Sequence, residues 1–199
     1  MILMLDLLFS SPAAFFIILI GIVLAIAIHE AAHCYMADYL GDPTPRSLGR
    51  LTLNPLAHLD PVGTLMIVVT GAFGWGKSAP YDPYNLRNPQ KDSALIGLAG
   101  PASNILLAII FAIVLKITGV SFVSSILVFM VGLNINLALF NLLPVPPLDG
   151  SKVFLKTNPF RDQNSYLLLL LLIIPFFGGH SLASLIISPI SSAILRILI

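Results

Sequence analysis

The stretch IAIHEAAHCYM, Ile26 to Met36, sets two imidazoles and a carboxylate inside an otherwise apolar run. His29 and His33 are four residues apart, so on a helix of 3.6 residues per turn their side chains stack on one face, about one turn apart. That spacing suits a single metal ion bound by two imidazoles. Glu30 lies beside them, and HEAAH fits the HExxH pattern, in which two histidines bind zinc and the glutamate serves as general base rather than ligand. The competing reading is a polar packing cluster satisfied by neighbouring helices. An idle triad is costly in lipid, where an ionisable side chain without a partner is strongly disfavoured.

A catalytic zinc usually has three protein ligands and an open fourth position, so a third donor is required. The candidates are His58, Asp60, Asp149 and His180, with Asp38 and Asp42 near the end of the same helix. Asp149 stands out because it closes NLLPVPPLDG, Asn141 to Gly150, where Pro144, Pro146 and Pro147 must break a helix near membrane depth. Irregular backbone there is tolerated only when buried in protein or lining a wet cavity. Asn104, Asn134, Asn136 and Asn141 are amides in or beside apolar runs, where interhelical hydrogen bonding is their ordinary use. Asn141, eight residues before Asp149, is the first candidate for a substrate or oxyanion contact, with Asn136 and Asn104 next. His58 and Asp60 read as hydrogen-bonded loop residues and His180 as structural. Cys34 lies about 140° around the helix from His29 and reads as packing. Trp75, Tyr81 and Tyr84 flank apolar segments, as residues at a membrane interface do.

The elements that must position these groups follow from composition. Of 199 residues, 57% are hydrophobic and 10% charged, against roughly 25% charged in soluble domains. The chain is therefore expected to be an all-α polytopic membrane protein, a single membrane-embedded domain over 1–199 with a core at 12–160. A net charge of +1 offers no basic face for nucleic acid, and one cysteine excludes an internal disulfide. Spans are expected at Pro12 to Tyr39, Ala94 to Thr118 and Phe122 to Leu143, each near the length of about 20 residues that crosses a bilayer. Pro61 to Phe73 is shorter and reads as a re-entrant element. Gly74 to Asp92 reads as a loop, with room for a small β-hairpin. Tyr166 to Phe177 and Leu182 to Ile199 suggest a C-terminal helical hairpin within 165–199. The N-terminal run lacks the basic start of a secretory signal and is expected to be retained.

If 61–73 does not cross, Arg46, Arg50, Lys77, Arg87, Lys91, Lys152, Lys156 and Arg161 share one side, eight of the ten basic residues. The positive-inside rule makes that side cytoplasmic and puts the N-terminus on the other. His29 and His33 then lie roughly 10 to 18 Å in from the cytoplasmic end of their helix. A multi-pass protein of the cell membrane, with its site reached from the cytoplasm, is the expectation.

HEAAH on one span with N-x-x-P-x-P-x-x-D-G on a later one resembles the site-2 protease family of intramembrane zinc metalloproteases, over roughly residues 12–160. GPASN, Gly100 to Asn104, looks like the motif of the intervening helix, and NPLAHLDPVGT and GWGKSAPYDPYNLRNP look like loops of the small bacterial and archaeal branch. The resemblance implies one zinc per chain held by His29, His33 and Asp149, Glu30 as the catalytic glutamate, and Asn141 as the residue that holds the substrate or its oxyanion. It leaves no room for the PDZ or CBS modules of larger relatives. It implies a metalloendopeptidase that cuts transmembrane segments of other membrane proteins, with the lipid bilayer and a regulatory membrane protein as partners. The rival readings are a client-binding pseudoprotease, which would most simply have lost Glu30, and a zinc transporter, which would need a polar path to both faces.

Overall fold

The computed structural model describes residues 4–70, 74–118, 122–155, 165–177 and 180–199. A short helix α1 (Met4–Ser10) precedes the long α2 (Pro12–Tyr39), with Ser11 at the N-cap position and Pro12 at N1. Proline fits there because its missing N–H would have no helical partner. At the other end Gly41, at φ +105°, donates to Asp38 O at 3.1 Å, and Asp42 donates to Ala37 O at 3.0 Å. That bond pair stops the helix through a left-handed residue that only glycine adopts freely. A one-turn α3 (Thr44–Ser47) and a 3-10 turn at Pro55–Ala57 lead into α4 (Pro61–Thr70). At ten residues α4 is about 15 Å long, half the hydrocarbon thickness. It packs against α1 and α2 through Ile67, which joins Phe15, Ile22 and Ile26 in one buried cluster.

A loop containing a 3-10 turn at Pro83–Asn85 then reaches α5 (Pro89–Thr118), followed by α6 (Phe122–Asn141). The expected hairpin in 74–92 is absent among the described residues; an isolated antiparallel bridge joins Leu59 to Gly76 instead. The proline-rich break ends in a short helix that sequence patterning missed, α7 (Asp149–Phe154), whose first residue is Asp149. The remaining described residues form α8 (Ser165–Ile173), a two-stranded pair β1 (Pro175–Phe177) and β2 (His180–Ser181), and α9 (Leu182–Leu198). The small β element thus sits at the C-terminal turn.

Three helices, Pro12–Tyr39, Pro89–Thr118 and Val123–Asn141, are long and apolar enough to cross a membrane. Between them the interfaces are built from small residues, as expected where lipid removes the hydrophobic drive for helix association and close van der Waals packing replaces it. Ala108 and Ala112 of α5 meet Val131 and Ile135 of α6, while Ala25, Ala27, Ala31 and Ala37 lie buried along α2. Large side chains such as Phe16, Ile20, Ile105, Leu106 and Ile113 point outward, as suits a surface that faces lipid. The protein is an all-α polytopic membrane protein whose central helices α2, α5 and α6 enclose its buried polar residues.

Candidate metal centre

The α2 helix delivers His29 and His33 to the same place, with ring centroids 4.6 Å apart and edge to face. Asp149, carried by the first turn of α7, reaches both: its Oδ2 lies 3.1 Å from His29 Nε2 and 3.0 Å from His33 Nε2, while the two Nε2 atoms are 3.0 Å apart. All three side chains are buried. Glu30 stands outside this cluster and lines the adjoining cavity.

The hydrogen bonds behind the rings decide what the cluster can bind. Asn134 Nδ2 donates to Met130 O at 2.9 Å, and a carbonyl can only accept. Asn134 Oδ1 is therefore free to accept from Asn104 Nδ2, at 2.9 Å, which turns Asn104 Oδ1 toward His29 Nδ1 at 2.6 Å. That oxygen requires a proton on Nδ1. His33 Nδ1 faces the carbonyl of Ile96 at 2.6 Å and must be protonated for the same reason. In neutral rings, the form that binds a metal, both Nε2 atoms then present lone pairs to each other and to a carboxylate oxygen. Three acceptors converging within 3.1 Å in a buried site repel unless a cation lies among them, and two neutral imidazoles with one carboxylate form a donor set that suits zinc.

The seat for such an ion is cut into α5. A Cβ added at Gly100 would lie 2.6 Å from His29 Nε2 and still closer to His33 Nε2. Only glycine leaves that volume open, which gives the GPASN stretch a steric reason. On the far side of Asp149, Lys152 Nζ bonds Oδ1 at 3.0 Å and lies 5.5 Å over the ring of Tyr81, so only Oδ2 faces the histidines.

A cavity of about 640 Å³ opens from the cluster. His29, Glu30, His33, Asn141, Asp149 and Lys152 are among its polar lining residues, and Ile26, Trp75, Leu137, Phe140 and Leu169 form much of its apolar wall. The backbone of 74–79 forms one side, where Ala79 N–H donates to Glu30 Oε2 at 2.9 Å. Trp75 and Tyr81 line this cavity, while Tyr84 is 84% exposed.

The three amides singled out as substrate contacts part company here. Asn141 lines the cavity, its Nδ2 bonded to Leu137 O at 3.0 Å. Asn104 is wholly buried and bonded on both its polar atoms, so it orients His29 rather than meeting a substrate. Asn136 is exposed on α6 and does not line the cavity. Among the other candidates, Asp60 borders the cavity but accepts from Gly63 N at the start of α4. His58 lies in a loop network, Asp38 pairs with Arg46, His180 is exposed and Cys34 is buried away from the cluster. Asp42, outside the spans, accepts from Thr44 N and Oγ1, Asn85 Nδ2 and Asp82 N. Burial pushes its carboxyl up, but these four bonds outweigh burial and hold it below the usual carboxylate range.

Patterning alone did not reveal the Asn134–Asn104–His29 chain, the Ile96 carbonyl behind His33, the Lys152 bond to Asp149 or the Ala79 amide on Glu30. Lys152, three residues after Asp149 and hence on its face of any helix, was the one readable in advance.

Residues 116–166 match the model of peptidase family M50. The chain is 39% identical over 146 residues to "Putative zinc metalloprotease YwhC" of Bacillus subtilis, covering 68% of this chain and 66% of that protein. It is 31% identical over 151 residues to Rip2 of Mycolicibacterium smegmatis, covering 71% and 57%, and 38% identical over 104 residues to MJ0611 of Methanocaldococcus jannaschii, covering 50% and 51%; both carry the same designation. The chain thus spans from about half to just under two thirds of the length of these relatives. No solved structure matches it. The chain belongs to peptidase family M50, the site-2 protease family.

Proposed function

We propose that the protein is a zinc-dependent endopeptidase that hydrolyses peptide bonds within or near transmembrane segments of other membrane proteins. The observation that carries the reading is the convergence of three buried lone-pair donors, His29 Nε2, His33 Nε2 and Asp149 Oδ2, on a cavity that Glu30 shares. The designation of the relatives as zinc metalloproteases supports the choice of metal.

In this reading His29, His33 and Asp149 hold one zinc ion. Bound zinc supplies a Lewis acid that brings water's pKa toward neutrality and polarises the scissile carbonyl. Glu30 accepts the proton of the attacking water and returns it to the amide nitrogen as the carbon–nitrogen bond breaks, leaving a carboxylic acid and an amine. Asn141 holds the substrate chain or the oxyanion from the cavity wall. The apolar lining from Ile26, Leu137, Phe140 and Leu169 suits a substrate segment drawn from the bilayer. Such a segment must unwind locally, because a helix hides its peptide bonds in its own hydrogen-bond ladder. One edge onto which it could add as a strand, 74–79, already has Lys77 N–H bonded to His58 O and Ala79 N–H bonded to Glu30, which limits the positions left for pairing. Location in the cell membrane with access from the cytoplasm, and control by another membrane protein, complete the reading; the basic residues gathered on one side support the orientation.

The test is cleavage of transmembrane-segment substrates by the full chain in liposomes, comparing wild type with Glu30→Gln. Wild type is expected to cut, and Glu30→Gln to lose at least about 1,000-fold in rate while keeping its zinc, a loss on the scale seen for essential catalytic groups. Equal cutting by Glu30→Gln would overturn the mechanism. A zinc-loaded wild type that binds substrates without cutting them would favour the client-binding rival, and zinc flux across the liposome the transporter.

A further inference from the structure

Arg50, in the loop after α3, is only 5% exposed, yet among the described residues no carboxylate pairs with it. Its Nη2 donates to the carbonyl of Lys77 at 2.6 Å and reaches the carbonyl of Ser78 and His58 Nδ1, each at 3.4 Å. Its Nε–H is buried without an acceptor. A buried guanidinium with no counter-charge and an unused donor is a poor way to fill space, so its place must be explained by what it holds.

It holds the wall of the cavity. The carbonyls of Lys77 and Ser78 turn toward Arg50, and the next N–H along the chain, that of Ala79, turns the other way to bond Glu30 Oε2 at 2.9 Å. The same segment is pinned from below by Lys77 N–H donating to the carbonyl of His58 at 2.8 Å and by the bridge between Leu59 and Gly76. His58 is itself wholly buried, its Nε2–H donating to the carbonyl of Thr52 at 2.8 Å, which leaves Nδ1 to face Arg50. The unbroken path from Arg50 to Glu30 consists of backbone groups alone.

We infer that Arg50 is a positioning residue for Glu30, acting through the backbone of 77–79: the guanidinium fixes two carbonyls, these fix the direction of the Ala79 N–H, and that N–H holds one oxygen of the glutamate at the cavity wall. The inference rests on the reading of Glu30 as the group that carries the proton. Small displacements of such a group weigh heavily on rate, since a misplacement of about 1 Å can lower it about 100-fold. A merely structural arginine would instead lower the yield of folded protein and leave turnover per folded chain unchanged.

The experiment uses the full chain in liposomes with a transmembrane-segment substrate and three variants, Arg50→Lys, Ala79→Pro and the double. Lysine keeps the charge, but its compact ammonium on a shorter side chain lacks the Nη2 group that reaches both carbonyls. Proline at 79 removes the N–H that holds Glu30, at a position that Pro80 already disfavours for helical backbone. Each single variant is expected to lower kcat by about 10- to 100-fold, with KM within about twofold and zinc content unchanged. The double is expected to be no slower than the worse single, because both act through one link. Amide exchange at Lys77 and Ala79 is expected to quicken in Arg50→Lys. Unchanged kcat in either single variant, loss of zinc with the loss of rate, or multiplying defects in the double would overturn the inference. If Arg50→Lys does not accumulate as folded protein, Ala79→Pro decides on the same readouts. A wild-type chain that holds zinc and cuts nothing overturns the proposed function and this inference with it, whereas a wild type that cuts beside an unaffected Arg50→Lys overturns the inference alone.

Discussion

The two walls of the cavity are built by opposite means. On the metal side the contacts run between helices of the bundle: His29 and His33 on α2 are backed by Asn104 on α5, Asn134 on α6 and the carbonyls of Ile96 and Met130 on those same two helices. On the other side an irregular segment, 74–79, meets Glu30 with a backbone N–H and is held by a loop arginine. The first wall is as rigid as the packed spans that carry it. The second depends on bonds between loops. The difference implies that metal affinity and turnover are separable properties, each damaged from its own side.

Gly100→Val should break the metal wall most severely. Its side chain would occupy the volume beside both Nε2 atoms, so zinc per chain, measured by elemental analysis, should fall to near zero while the helical circular dichroism signal persists. Asn104→Leu should come next. Without the amide oxygen, His29 is released from its tautomer and orientation, and zinc affinity measured by chelator competition should drop about 10- to 100-fold, the usual range for groups that orient a metal ligand. Asn134→Leu, one bond further back, should lose less than Asn104→Leu, and a larger loss would mean that Asn134 acts independently of the chain. Lys152→Met should weaken zinc by up to about 10-fold, because Asp149 Oδ1 is then free to rotate toward the site.

The smallest effect belongs to the loop side and is read in pH. Asp42 joins 42–44 to 82–85 as a carboxylate whose pKa the fold depresses. A depressed acid contributes stability above its unfolded pKa of about 3.9, and that contribution is lost as pH falls through the lower folded value. Amide exchange at Thr44 and Asp82, whose N–H groups the Asp42 carboxylate holds, should therefore be slow and flat from neutrality down to about pH 5, relative to the intrinsic rate. It should quicken only in more acid solution. Asp42→Asn should show the quickened exchange at neutral pH and leave zinc affinity unchanged, sharpening the separation of the two walls.

The same contrast explains what the sequence revealed. Helix spacing is periodic, so the i,i+4 pair in HEAAH, the spans at Pro12–Tyr39 and 94–118, and the proline break before Asp149 were all legible from residue types. The convergence of Asp149 with the histidines followed from the burial that irregular backbone requires in a membrane. The second layer was not legible. Asn104 and Asn136 look alike in sequence, and only the crossing of α5 over α2 makes one a partner of His29 and leaves the other on the surface. Backbone donors such as Ala79 N–H carry no residue signature, so the wall that holds Glu30 could not be read at all. α7 escaped because a six-residue helix after three prolines has too few turns to show a period.

In the proposed function His29, His33 and Asp149 together hold one zinc ion while Glu30 stays outside its coordination. X-ray absorption at the zinc edge of the purified chain, in parallel with Glu30→Gln, tests it most directly. About one zinc per chain is expected, with two imidazole nitrogens at about 2.0–2.1 Å, oxygen at a similar distance, and an unchanged spectrum in Glu30→Gln. A sulfur scatterer at about 2.3 Å, a spectrum altered by Glu30→Gln, or a chain that takes up no stoichiometric zinc would contradict it.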